Sequence, residues 1–201
     1  MNKQKIICLT GQMAAGKNAA ASILEKQGFA CVDFDILVHK AIEEKTAQII
    51  EAFNSEAAAS GIDLTNSDGS LNRRALGKLI FGNAELVAKQ ENIVYPAVTQ
   101  MAKDFVSAHK NQNIVFNATV LYKIPELMNM CSSIIFVRAP FITRLLRAKK
   151  RDNIPASLIL KRFGAQKKLL SCYKKINIPL FKISNSHSIE QLEREIENLS
   201  I

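Results

Sequence analysis

The sequence has no long apolar run, no low-complexity tract and no internal repeat, so a helical membrane span, an extended disordered tail and a solenoid array are not expected. Its four cysteines, Cys8, Cys31, Cys131 and Cys172, form no Cys-x-x-Cys pair and have no neighbouring histidine. Neither a zinc site nor a disulfide framework is indicated. Cys8 and Cys31 lie in strand-like runs and read as small buried hydrophobes. Aromatic residues make up only 6% of the chain and do not interleave with basic runs, which argues against a nucleic-acid surface. Acids are also scarce. Eighteen Asp and Glu stand against 27 Lys and Arg, a net charge of +9. That excess favours phosphate-rich partners, whether nucleotides, nucleic acid or anionic lipid. The N-terminus, Met-Asn-Lys-Gln-Lys followed by five largely apolar residues, is too short for a signal peptide or a span, so a cytoplasmic protein is expected. What remains is ordinary for a globular chain: 201 residues, 48% hydrophobic and 22% charged, enough for one domain with a full core or a domain with insertions.

The chain is organised around Ile6 to Asn18. Ile6 to Leu9 is a short, β-branched run that reads as a buried strand, and Asn18 to Gln27 is an Ala-rich helix ending at Gly28. Between them stand Gly11, four residues, then Gly16 and Lys17. A loop of this form turns its backbone N–H groups toward a phosphate chain, and the following helix adds its positive end. Lys17 would reach the two outer phosphates. Asn18 occupies the position where Ser or Thr usually holds magnesium, and a carboxamide oxygen is able to ligate that ion. Gln12 and Ala14 stand where many such loops have glycine. The backbone does the cradling, and Ala costs little wherever φ stays negative.

Further along, Phe29 to Asp35 reads as a second strand whose period of two puts Asp33 and Asp35 on one face. Carboxylates at a strand's carboxyl end sit where ligands gather in open α/β sheets. Asp35 is equally suited to cap a helix from Ile36 to about Glu44. From Thr46 to His109 the composition is helical and polar, broken at Ser60-Gly61 and at Asn66 to Gly69. Within it, Ser70 to Phe81 is an amphipathic helix with Arg73 and Arg74 outside. A longer helical segment opens at Asn83, and Tyr95-Pro96 is expected to kink or break it. Asn113 to Asn117 and Ser133 to Val137 are non-alternating strands, as in a sheet buried on both faces. Pro140 opens a basic helix carrying Arg144, Arg147 and Arg151, either a solvated face or a lid over a nucleotide. Leu180 to Ile183 gives a fifth strand. Ser188 to Gln191 is a capping box that opens a last helix with an apolar stripe of Ile189, Leu192, Ile196 and Leu199. Strands alternating with helices mean an α/β fold with a mostly parallel sheet.

Taken in order, these segments resemble the dephospho-coenzyme A kinase family over nearly the whole chain. Leu9-Thr-Gly-Gln-Met-Ala-Ala-Gly-Lys17 is similar to that family's Leu-Thr-Gly-Gly-Ile-Gly-Ser-Gly-Lys. Gly28 to Asp35 fits its Gly-x-x-x-x-Asp-x-Asp, and Leu71 to Phe81 its Arg-x-x-Leu segment before a Phe. Tyr95-Pro96 falls where the family has His-Pro, Arg147 and Arg151-Asp152 fit Arg-x-x-x-Arg-Asp, and Arg162 to Gln166 fits Arg-x-x-x-Gln. Ser184-Asn185 falls where its last strand ends in Asp-Asn. The departures are Gln12, Ala14, Asn18, Tyr95 and the segment Thr119-Val-Leu-Tyr-Lys123, where the family has Pro-Leu-Leu-Phe-Glu.

The resemblance implies a single domain, a three-layer α/β P-loop kinase fold with a five-stranded, mostly parallel sheet. It adds a helical substrate-binding insertion at about 55–110 and a basic helical lid at about 141–175. It implies ATP-dependent phosphorylation of the ribose 3′-hydroxyl of dephospho-coenzyme A, with ATP and Mg²⁺. Asp35, Lys17 and Arg147 would be catalytic. Gly11, Ala14, Ala15, Gly16, Lys17, Asn18, Ala19, Arg147, Arg151 and Asn185 would bind nucleotide, with Asn18 also the metal ligand. Asp33, Asp35, Arg73 and Tyr95 would bind the acceptor. Two other readings stay open: a different P-loop small-molecule kinase, and a kinase-like protein without turnover whose positive charge binds nucleic acid.

Overall fold

The computed structural model describes residues 4–186 and 188–199, so Met1 to Lys3 of the N-terminal stretch lie outside the described residues. The chain divides into two compact units, Met1–Asp33 with Phe105–Ile201, and Phe34–Asp104.

The first unit is built on five strands: β1 (Ile6–Gly11), β2 (Ala30–Asp33), β3 (Ile114–Asn117), β4 (Ser133–Arg138) and β5 (Leu180–Ser184). They lie in the order β2-β3-β1-β4-β5, and every pairing is parallel. β1 is central and buried along its whole length, which is why its sequence does not alternate. One face of the sheet carries Ile7, Leu9, Val115, Ile135, Val137 and Ile183, and packs on Ile23 and Leu24 of α1 (Lys17–Lys26) and on Leu192 and Ile196 of α10 (Ile189–Glu197). Ser188 caps α10 by accepting from the Gln191 N–H. Strand alternation turns Cys8 and Phe136 to the other face, where the Phe136 ring meets Tyr173 of α9 (Leu169–Lys174) edge-on at 6.4 Å. Helices thus cover both faces, and the parallel strands bring Gly11, Asp33, Asn117, Arg138 and Ser184 to one edge, where ligands bind in sheets of this type.

Two boundaries differ from the sequence reading. β2 stops at Asp33, and Phe34, which is buried, opens α2 (Phe34–Glu44). Asp33 and Asp35 therefore do not share a strand face. Asp35 sits in the first helical turn, where a carboxylate complements the positive end of the helix dipole. At Tyr95-Pro96, where a kink or a break was expected, the break does not occur: α5 (Ala84–Ala108) runs through Pro96. Proline deprives only the Asn92 carbonyl of its donor, and Asn92 and Pro96 are both exposed, so the lost bond is at a solvent-facing turn.

The second unit consists of α2, α3 (Thr46–Ala59), α4 (Arg73–Ile80) and most of α5, with Ile49, Phe53, Leu76, Val94 and Val98 buried. Asn72 caps α4 through the Ala75 N–H. Asn83 caps α5 by accepting from Glu85 and Leu86. Lys89 pairs with Glu56 at 2.6 Å and lies 5.0 Å over the Phe53 ring.

Because Leu192 is wholly buried where α10 meets α1 and the sheet, Leu192→Ala is expected to cost about 2 to 5 kcal/mol. Urea unfolding followed by circular dichroism tests this. A loss under about 1 kcal/mol would contradict the packing described.

Candidate active site

The turn after β1 is fixed by close approach. A Cβ on Gly11 would lie 2.6 Å from the Val137 carbonyl oxygen, and one on Gly16 only 1.9 Å from Nδ2 of Asn185. Gly16 also has φ +98°, a conformation that favours glycine. The space beside it is filled by Asn185, whose Nδ2 donates to the Ala15 carbonyl at 3.0 Å in a buried bond. Asn185 is itself tied to the sheet, its N–H donating to the Arg138 carbonyl at 2.7 Å. Arg147, from α7 (Phe141–Asp152), donates to the Asn185 carbonyl at 3.0 Å and to its Oδ1 at 3.4 Å. One carboxamide thereby joins β5, the loop and a basic helix.

Ala14 corrects an expectation. Its φ is +60°, so the negative φ that would have made alanine inexpensive is not adopted. The left-handed conformation costs an L-residue about 1 to 2 kcal/mol. Packing offsets part of this, since Met13 and Ala14 lie against a small core of Ala148, Ile159 and Phe163 from α7 and α8 (Ala156–Ala165).

Lys17 opens α1, and its ammonium donates to Thr119 Oγ1 at 3.1 Å. The Thr119 carbonyl accepts from Thr10 Oγ1 and from the Tyr173 hydroxyl, both at 3.1 Å. Burial, and then the neighbouring Cys8, raise the Tyr173 pKa, while burial raises that of Cys8 well above the ordinary thiol range. Both groups stay neutral, so the phenol is a dependable donor beneath the lysine. Lys123, where the resemblance implies Glu, is exposed in a 3-10 turn over Leu121–Lys123.

Asn18 is in the first turn of α1, and its Oδ1 accepts from Asn117 Nδ2 at 3.2 Å. Asn117 ends β3, and its own Oδ1 is buried without a hydrogen-bond partner among the described residues. An acceptor left unpaired in a buried position costs free energy unless a ligand or cation completes it. The two carboxamide oxygens beside the turn are hard donors of the kind magnesium takes. Among the described residues no cluster of three or more His, Cys, Asp or Glu stands ready for a metal, so phosphate oxygens would supply the negative charge.

The sequence reading named Arg144 only among the cations of a candidate lid and Gln166 only within a family motif, and gave neither a contact with the turn. Arg144 is 5% exposed, and its Nε donates to the Met13 carbonyl at 2.9 Å. Gln166 Oε1 accepts from the Met13 N–H at 2.5 Å. Both residues lie in a basic helical stretch whose period gives cations but not the turn that places one inward. Arg151, by contrast, engages its neighbour Asp152 through Nε at 2.5 Å and Nη2 at 3.0 Å. That bond, with Arg162 at 4.0 Å, holds the Asp152 carboxyl below its usual range.

The first unit thus gathers Gly11, Ala14, Ala15, Gly16, Lys17, Asn18, Arg147 and Asn185 around one turn, with Ala19 in the first turn of α1 and half-buried Asp33 at the end of β2. Asp35, Arg73 and Tyr95 belong to the second unit. Asp35 is exposed and Tyr95 half-buried. Arg73 pairs with Glu43 at 2.7 Å and donates to the His39 carbonyl at 3.3 Å.

Ala14→Gly relieves the left-handed strain and should stabilise the protein by about 1 kcal/mol, a rise in Tm of ~2–4 °C by calorimetry for a chain of this size. A fall in Tm would show that the φ of Ala14 carries no strain.

Known proteins resemble this chain in sequence and in fold. A family model described as dephospho-CoA kinase matches residues 5–191. A dephospho-CoA kinase of Treponema denticola is 34% identical over 95% of this chain and 86% of its own length. One of Treponema pallidum is 31% identical over 96% and 92%. In fold, the crystal structure of TT1252 from Thermus thermophilus superposes with a TM-score of 0.80 at 24% identity, covering 98% of this chain and 96% of that one. Dephospho-CoA kinase from Campylobacter jejuni gives a TM-score of 0.60 at 20% identity over 96% and 93%. The chain belongs to the dephospho-CoA kinase family, P-loop enzymes that phosphorylate dephospho-coenzyme A with ATP.

Proposed function

We propose that this chain transfers the γ-phosphate of ATP to the ribose 3′-hydroxyl of dephospho-coenzyme A, giving ADP and coenzyme A. The observation that carries the reading is the locked turn itself, with Gly16 pressed against Asn185 and Arg147 bonded to that same asparagine. It leaves a preformed set of backbone donors at the head of α1. In phosphoryl transfer, positioning and charge stabilisation do most of the work. Lys17 neutralises the outer phosphates, and Arg147, a donor from the basic helix, adds charge where the transferred group moves. An arginine in that role contributes about 10³ to 10⁵ in rate.

Asp35 is the residue we assign to accept or orient the 3′-hydroxyl proton, worth about 10² to 10⁴ in rate. Asp33 helps hold the acceptor or a metal-bound water. The helical segment at about 55–110, with Arg73 and Tyr95 as acceptor contacts, binds the pantetheine-bearing substrate, and residues 141–175 act as the lid. Magnesium, when bound, would supply positive charge to neutralise the phosphates. Asn18, with Asn117 beside it, is the residue suited to hold it, supported by the buried, unpaired Asn117 oxygen. Arg151 would reach nucleotide only by leaving Asp152. A cytoplasmic location is proposed as well. No helix among the described residues is long and apolar enough to cross a membrane.

Mixing the protein with ATP, magnesium and dephospho-coenzyme A should yield ADP and coenzyme A in equal amounts. ADP formed only with a different acceptor would reassign the substrate, and no ADP together with salt-sensitive nucleic-acid binding would remove the enzyme. Asp35→Asn should keep ATP binding and lower turnover at least about tenfold. Unchanged turnover would take Asp35 out of the mechanism.

A further inference from the structure

Gln12 is a polar side chain in a phosphate-binding turn at a position where glycine is common, and its side chain is fully engaged. Its Oε1 accepts from Arg144 Nη1 at 2.8 Å, and its Nε2 donates to the Gln166 carbonyl at 3.4 Å. The next residue is held in the same way. The Met13 carbonyl accepts from Arg144 Nε at 2.9 Å and the Met13 N–H donates to Gln166 Oε1 at 2.5 Å. Both polar groups of one loop residue are thus taken by side chains from the basic helical stretch, which fixes how its two peptide planes are turned. Arg144 is 5% exposed and its guanidinium carbon stacks 4.1 Å from the Phe163 ring centroid.

Burying a guanidinium is expensive unless its geometry is used. Here the two named acceptors are a carbonyl and an amide oxygen, so the charge is not cancelled by them, and Nη2 has no hydrogen-bond partner among the described residues. The fork is used for its shape, which lysine cannot reproduce. The contacts also explain why Ala14 tolerates φ +60°, since a strained conformation persists where surrounding bonds over-determine it.

We infer that Arg144, acting through Gln12 and the Met13 carbonyl, is a positioning residue for nucleotide: it presets the phosphate loop from the lid, in place of the glycine flexibility such loops commonly have. The inference rests on the kinase reading only in taking ATP as the ligand. ATP affinity is therefore measured by calorimetry without acceptor, and steady-state kinetics are measured separately. A wild type that binds ATP but does not convert dephospho-coenzyme A would sink the acceptor assignment and leave this proposal under test.

Arg144→Met should weaken ATP binding by about tenfold or more, and Arg144→Lys should recover little of it because the fork is lost. KM for dephospho-coenzyme A should stay within about twofold, a split that a merely structural loss would not produce. Gln12→Gly should weaken ATP binding by at least about threefold, and the double variant Gln12→Gly with Arg144→Met should be no weaker than Arg144→Met alone, as for residues acting as one unit. Losses that multiply, full recovery by lysine, or equal losses for both substrates would overturn the proposal. Should Arg144→Met fail to fold, Gln12→Gly decides: ATP affinity within about threefold of wild type overturns the proposal and a larger loss upholds it.

Discussion

Asn185 reaches a carbonyl 170 residues earlier in the chain, and the buried bond from its Nδ2 to Ala15 is the constraint on which the site depends. It forms because residue 16 has no side chain: a Cβ there would stand 1.9 Å from the donor nitrogen. A buried amide left without this acceptor would lose a bond it has no water to replace. The sheet makes the approach possible, since β4 and β5 run parallel beside β1 and deliver Asn185 at the edge where β1 ends. Loop, last strand and basic helix are consequently one mechanical piece, because Arg147 bonds to the same asparagine.

The charge distribution follows from this geometry. A net charge of +9 is not spread evenly in its effect. Lys17, Arg144 and Arg147 converge on the turn, where Lys17 donates to Thr119, Arg144 to the Met13 carbonyl and Gln12, and Arg147 to Asn185. Arg151 and Arg73 instead engage acids at Asp152 and Glu43. An anionic ligand entering the turn therefore meets several cations at once, in an environment where their field is less screened than at the open surface.

Much of this was legible in the sequence because it depends on local pattern. The β-branched run before Gly11, the spacing to Gly16-Lys17, the non-alternating strands and the Ser188 cap each follow from residues near one another. The family resemblance then carried Asn185 and Arg147 to the same site, which no local pattern would do. The misses have physical causes. β2 ended two residues early because Phe34 is buried as the start of a helix rather than as a strand residue. Of the kink or break expected at Pro96, the break did not occur, since the carbonyl left unpaired is on an exposed turn. Ala14 took a positive φ that its side chain does not favour, and Arg144 turned inward on a helix whose cations read equally as a solvated face or as a lid over a nucleotide. Both of these are set by contacts more than 100 residues apart in sequence, such as Arg144 to Met13. One sequence shows no such contact until the fold brings the two segments together.

The central claim is that the turn from Gly11 to Lys17 is already shaped for a phosphate chain and is held so by Asn185. A crystal structure of the protein with a non-hydrolysable ATP analogue tests it most directly. The account predicts the β- and γ-phosphates inside that turn, with the Asn185–Ala15 bond intact and the loop backbone unchanged. Phosphates bound elsewhere, or a turn that releases Asn185 to admit them, would contradict it.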